Sequence, residues 1–185
     1  RISDMNLFFD KLPDYIEIDG EKFPIYTDFR NWIKIEILLS KKPDLISLSE
    51  AITLCYKKLP HSLDGAVRGM AEFYAMGKKS ARRKAVGSKR EVYSFEHDSE
   101  YIYSAFMKCY GIDLLEAKLH WWQFRVLFFN LDDCRFTKIM QYRNMDLSTV
   151  KNNEQKSFYR KMKRLYRLPK EQQNCNIEQC LECLF

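Results

Sequence analysis

Three cysteines near the end of the chain, Cys175-x4-Cys180-x2-Cys183, are the residues whose type and spacing come nearest to a chemical signature. Thiolates at that spacing can converge on a soft metal ion or an iron–sulfur centre. A fourth ligand is missing nearby, and Asn174, Asn176 and Gln179 provide no glycine-rich wrap, so the competing reading is an amphipathic tail. The three histidines, His61, His97 and His120, stand in no paired ligand spacing. His120, before Trp121-Trp122, is read as a structural hydrogen-bonder at the edge of a buried helix, and His97-Asp98 as a helix start. Asp132 and Asp133 are adjacent carboxylates in an expected loop, and neighbours in sequence need not face one site.

Six scattered glycines supply no phosphate-cradling loop, nucleophile elbow or dinucleotide fingerprint. The sequence is therefore read as non-enzymatic, with no catalytic, cofactor or metal residues expected.

Charge carries more information. The net charge is +6 over 185 residues, and the positive excess lies in two short segments. Lys78 to Arg90 holds seven basic residues and no acidic one, while Lys151 to Lys170 holds eight basic and one acidic. In the second segment Lys156, Arg160, Lys163 and Arg167 recur at i, i+4, i+7 and i+11, one face of a helix. Phe158, Tyr159, Met162, Leu165 and Tyr166 fall on the other side. Those four cations, with Arg82, Arg83 and Lys84 of the first segment, are the candidate partner-binding residues. Such clusters favour phosphates through counterion release, with Tyr159 and Tyr166 as stacking surfaces. They equally suit an acidic protein partner, where rim charge sets the encounter rate.

The elements that would position these residues are mostly helical. Tyr15-Ile16-Glu17-Ile18 and Lys22-Phe23-Pro24-Ile25 flank Asp19-Gly20, a hairpin signal with Pro24 on an edge strand. Thr27 or Asp28 caps a helix to about Leu39 with Phe29, Trp32, Ile33, Glu36 and Ile37 at helical spacing. Ser47-x-x-Glu50 reads as a capping box for a second helix, with Ile52, Cys55 and Leu59 on one face before Pro60. A third runs from about Leu63 to Met76 with Val67, Met70, Phe73 and Tyr74 inward. Residues 77–91 are read as a mobile basic loop. Val92 to Phe95 is a short strand candidate. Asp98 caps a helix stopped by Gly111.

Asp113-x-x-Glu116 is a second capping box. It opens a helix to Leu131 with two apolar stripes, Leu115, Leu119, Trp122, Val126 and Phe129, and Trp121, Phe124 and Phe128. Apolarity on two faces places that helix at the centre of the core. A short helix from Arg135 to Arg143 follows, and Asn152 caps the last, which ends near Leu168.

The expected fold is mainly α, a single-domain bundle of about six helices with a small N-terminal hairpin, spanning 1–170 with a tail at 171–185. Cys55, Cys109 and Cys134 lie in packed helical patterns and are expected as reduced thiols. No apolar run is long enough to cross a membrane, and no secretory signal opens the chain.

The block from His120 to Pro169, with Leu12-Pro13-Asp14-Tyr15, Thr27-Asp28-Phe29-Arg30-Asn31-Trp32, Tyr101-Ile102-Tyr103-Ser104-Ala105-Phe106 and Tyr110-Gly111-Ile112-Asp113-Leu114, resembles the bacteriophage "gene product fifteen" family. The resemblance spans Met5 to about Pro169. It implies an accessory or chaperone protein of phage tail assembly, acting on the tape-measure protein and other tail proteins in the host cytoplasm. A small basic nucleic-acid-binding protein, or a structural tail component retained in the virion, are the alternatives.

Overall fold

The computed structural model describes residues 6–7, 9–40, 44–77 and 92–169. These form a mainly helical protein of seven helices and one two-stranded hairpin, as the periodicity predicts. By contact density the described residues fall into two compact units, one holding residues up to 77 together with 118–126, the other 92–117 with 127–169.

The first unit opens with strands β1 (Tyr15–Ile18) and β2 (Glu21–Pro24), paired antiparallel with Ile18 opposite Glu21. Asp19 and Gly20 both take positive φ, +51° and +83°, as the primed turn of a right-twisted hairpin requires. Ile16, Ile18 and Phe23 are buried. Helix α1 (Phe29–Ser40) starts where the Asp28 carboxylate accepts the Arg30 N–H at 2.9 Å. It buries Phe29, Trp32, Ile35 and Leu39. Ile33 and Ile37 are only half-buried, so the inward stripe is rotated from the expected one.

Helix α2 (Leu45–Cys55) begins earlier than the Ser47 box predicts. Asp44 is the cap, and its Oδ1 accepts both the N–H and the hydroxyl of Ser47 at 2.7 Å. A carboxylate facing a helix N-terminus satisfies orphan donors and complements the dipole, and those bonds hold the Asp44 pKa below its usual range. The helix ends at Cys55, so Ile52 and Cys55 are buried while Leu59 is 59% exposed. Helix α3 (Leu63–Tyr74), capped by Ser62, buries Val67, Met70, Phe73 and Tyr74 as expected. Gly65 and Gly69 lie against β1. A Cβ on either would come within 2.5 Å of Ile18 or Ile16, so only glycine lets the hairpin pack this closely.

The largest departure from expectation is the central helix. Helix α5 covers only Trp121–Phe129. The Asp113 box closes a single turn: the Leu115 N–H reaches its carboxylate, the Glu116 and Ala117 N–H groups reach its carbonyl, and the chain then leaves helical geometry. Leu115 is 74% exposed. Of the two predicted stripes, Trp121, Phe124 and Phe128 are buried with Trp122, whereas Phe129 is exposed.

In the first unit, Trp32 stacks on Phe73 and Trp121 with centroids 4.7 and 6.1 Å apart, and Phe29 stacks on Phe124 at 4.7 Å. Each buried indole N–H finds a carbonyl: Trp32 on Tyr26, Trp121 on Tyr74 and Trp122 on Phe73. Large apolar area is thus removed from water with no donor stranded.

The second unit holds α4 (Ser99–Tyr110), α6 (Arg135–Asn144) and α7 (Asn153–Leu165). Gly111 ends α4 in the left-handed region at φ +66°, and Asn152 caps α7 through the N–H groups of Glu154 and Gln155. Residues 92–95 form no strand. Phe128 packs against Tyr93, Phe95 and Phe136.

Candidate partner-binding surface

The second unit is organised by an ion pair that the sequence does not advertise. The Arg143 guanidinium forks onto the Asp98 carboxylate at 2.5 and 2.9 Å, and both residues are buried. The same guanidinium donates to the carbonyls of Val92 at 3.1 Å and Tyr166 at 2.6 Å. Asp98 also accepts the Ser94 N–H at 3.0 Å. Bidentate geometry and near-complete satisfaction are the conditions under which a buried charge pair is tolerated. Asp98 does stand at the start of α4, but its carboxylate makes no cap bond to that helix and serves Arg143 instead. A separation of 45 residues leaves no local signal for such a pair.

This pair fixes the end of α7 and, with it, the predicted basic face. Tyr142 of α6 receives the helix through its ring, stacked with Tyr166 at 6.1 Å and tilted against Tyr159 at 6.3 Å. Both tyrosines are half-buried in this contact, which removes them as free stacking platforms for nucleic-acid bases. No residue of α7 is fully buried.

The four cations predicted on α7 and just beyond it have different surroundings. Arg160 and Arg167 are exposed, and Lys156 is half-buried. Lys163 is committed to the scaffold, its ammonium donating to the Met145 carbonyl at 2.6 Å, beside the end of α6. Arg82, Arg83 and Lys84, with all of the expected loop beyond Gly77, lie outside the described residues. Sequence reasoning also placed Phe158 and Leu165 with the inward residues. They are 49% and 65% exposed. At about 100° per residue, they sit roughly opposite the Lys156, Arg160 and Arg167 stripe. The Tyr159 and Tyr166 contact lies to one side, and Lys161 and Arg164 lie on the other.

Residues weighed for catalysis or metal binding have structural occupations. His120 accepts the Trp122 N–H on Nδ1 at 3.0 Å and donates from Nε2 to the Pro13 carbonyl at 3.0 Å, which selects one neutral tautomer. Burial lowers its pKa, more than offsetting the raising effects of the Pro13 carbonyl and Asp14. Asp132 accepts the Asp133 N–H at 2.8 Å, and Asp133 pairs with Lys138 at 3.5 Å. His97 is exposed, with its N–H on Ser94 Oγ. Cys55, Cys109 and Cys134 are free thiols, and burial pushes the Cys55 pKa up, away from thiolate chemistry. Among the described residues no three His, Cys, Asp or Glu side chains gather as a metal set, and no helix is long and apolar enough to cross a membrane. The Cys175, Cys180 and Cys183 cluster lies outside them.

These features define a small helical protein that presents a cationic amphipathic helix. A family model described as "Bacteriophage Gp15 protein" matches residues 8–168, and the chain belongs to that bacteriophage family. No curated protein and no solved structure matches it.

Proposed function

We propose that this phage protein is a non-enzymatic accessory or chaperone of tail assembly that binds the tape-measure protein in the host cytoplasm through the exposed cationic face of α7. The observation that carries the reading is a helix anchored along one side by Tyr142, Lys163 and Arg143 while Arg160 and Arg167 stay exposed. A rigidly held charged face meets an acidic helical partner without first ordering itself. The half-buried state of Tyr159 and Tyr166 favours a protein partner over single-stranded nucleic acid, whose binding leans on exposed aromatic platforms.

The test is co-expression of the tape-measure protein with and without this chain, followed by soluble yield and co-purification at moderate salt. Soluble tape measure that elutes with the chain, and is lost with Arg160→Glu plus Arg167→Glu, supports the reading. Unchanged solubility with no co-elution removes it, and salt-dependent binding of the same face to nucleic acid would then favour the alternative. Recovery of the chain in purified particles would instead indicate a structural component.

A further inference from the structure

Helix α7 carries an apolar ridge that the second unit leaves in water. Phe158 and Leu165 are 49% and 65% exposed. At about 100° per residue they lie within roughly 20° of each other around the helix, about 10 Å apart along its axis. Half-buried Met162 and the half-buried ring of Tyr142, 6.2 Å from the Phe158 ring, extend the ridge towards α6. On its other side stand Lys161 and Arg164, both exposed and neither in an ion pair among the described residues. The one carboxylate of α7, Glu154, sits in the first turn, where the helix dipole favours it.

A few large apolar side chains beside a dense cationic border are the make-up of a helix that lies in a membrane interface. A convex ridge enters the fluid boundary between headgroups and acyl chains without a preformed groove to receive it. The stems of Lys161 and Arg164 can lie along that boundary while their charged heads reach lipid phosphates, and the negative potential of an anionic leaflet complements them. Nothing in the fold competes for the ridge. No residue of α7 is buried, and its anchors Tyr159, Lys163 and Tyr166 lie on a different side.

We propose that α7 is an interfacial anchor for an anionic phospholipid surface, with Phe158 and Leu165 inserted at the headgroup boundary and Lys161 and Arg164 on lipid phosphates. The Lys156, Arg160 and Arg167 stripe points roughly the opposite way, so this contact goes beyond the tape-measure reading and does not depend on it.

Flotation of the full chain with vesicles of phosphatidylcholine alone, or of phosphatidylcholine and phosphatidylglycerol in equal parts, tests the anchor with no protein partner present. At moderate salt, binding to the anionic vesicles is expected to exceed binding to the neutral ones by about tenfold or more. Leu165→Ser, which removes an exposed apolar side chain, should weaken anionic binding about tenfold, and Lys161→Glu with Arg164→Glu should abolish it. Trp32, Trp121 and Trp122 are buried in the first unit, so Leu165→Trp adds a separate reporter whose emission should move to shorter wavelength on anionic vesicles. Slow amides in α4 and α6 show that each variant remains folded. Flotation that Leu165→Ser leaves unchanged overturns the proposal, because charge alone would then hold the chain to the surface. Equal binding to neutral vesicles overturns it too, as does unmoved emission from the Leu165→Trp variant. No flotation with either vesicle also overturns it and leaves the ridge to a helical protein partner.

Discussion

The two units solve burial differently. In the first, three tryptophans and a run of phenylalanines exclude water, and each indole N–H meets a carbonyl as a by-product of apolar packing. In the second, an apolar core of Ile102, Phe106, Phe128, Phe136 and Ile139 is joined by a buried charged pair: Arg143 gathers Asp98, Val92 and Tyr166 around one guanidinium, and the last helix is left with no buried residue. A core built on apolar area is insensitive to the chemistry at its rim. A charged fork at the margin of such a core holds a helix at its edge in a set orientation. That arrangement suits a helix whose outer face has work elsewhere.

The contrast can be broken most severely in the first unit. Trp32→Ala, at a residue with no exposed surface, is expected to cost about 3–5 kcal/mol in denaturant unfolding, from lost burial and the cavity left behind. Asp98→Asn should cost about 3 kcal/mol, near the lower end for breaking a buried pair, because Arg143 keeps its charge without a counter-charge. The two losses should differ in kind. Replacing both partners, Asp98→Leu with Arg143→Met, should recover much of the second loss, since the penalty lies in the unpaired charge. A double variant that falls as far as the sum of the single ones would show that the fork contributes more than compensation.

A close approach in the first unit gives a smaller effect. Gly69→Ala puts a methyl group 2.5 Å from Ile16 Cγ2, and the hairpin must shift. Overpacking of this kind should cost about 1–3 kcal/mol, and Gly69→Ala should cost less in an Ile16→Ala background, where the Cγ2 methyl is gone. Simple additivity of the two changes in unfolding experiments would argue that the residues do not press on each other.

Legibility in the sequence follows the same division. The hairpin, the Asn152 cap, the Gly111 stop and the buried Val67, Met70, Phe73 and Tyr74 are set by local spacing and turn chemistry, and all could be read. The Asp113 box misled because a capping pattern marks a possible start without ensuring continuation. No packing partner rewards Leu115, so the chain makes one turn and leaves. Similarly, the Ser47 box yielded to Asp44, whose carboxylate caps the helix three residues earlier by accepting the Ser47 N–H and hydroxyl. On α7, amphipathicity put Arg160 and Arg167 on an exposed face, but it missed that Lys163 bonds the Met145 carbonyl and treated all apolar residues as inward. Which of them are covered depends on the position of Tyr142, fixed by a contact between distant residues. The Arg143 and Asp98 fork was invisible for the same reason.

The smallest effect concerns His120, and it separates the units by pH. Its folded pKa lies below the unfolded value because burial disfavours the imidazolium. Below about pH 6.5, the ordinary histidine value, the unfolded chain therefore binds a proton that the folded one refuses. Stability falls as pH drops through that point and levels off only below the folded pKa. Protonation would also place a second N–H against the Trp122 amide, which donates to Nδ1. Denaturant midpoints measured from pH 7.5 to 5.5 should decline, and His120→Asn should flatten that decline while lowering the midpoint at pH 7.5. Exchange at equilibrium can resolve where the loss falls. Slow amides around Trp121 and Trp122 should lose protection on acidification before those of α4 and α6, and simultaneous loss in both would mean that the units unfold together.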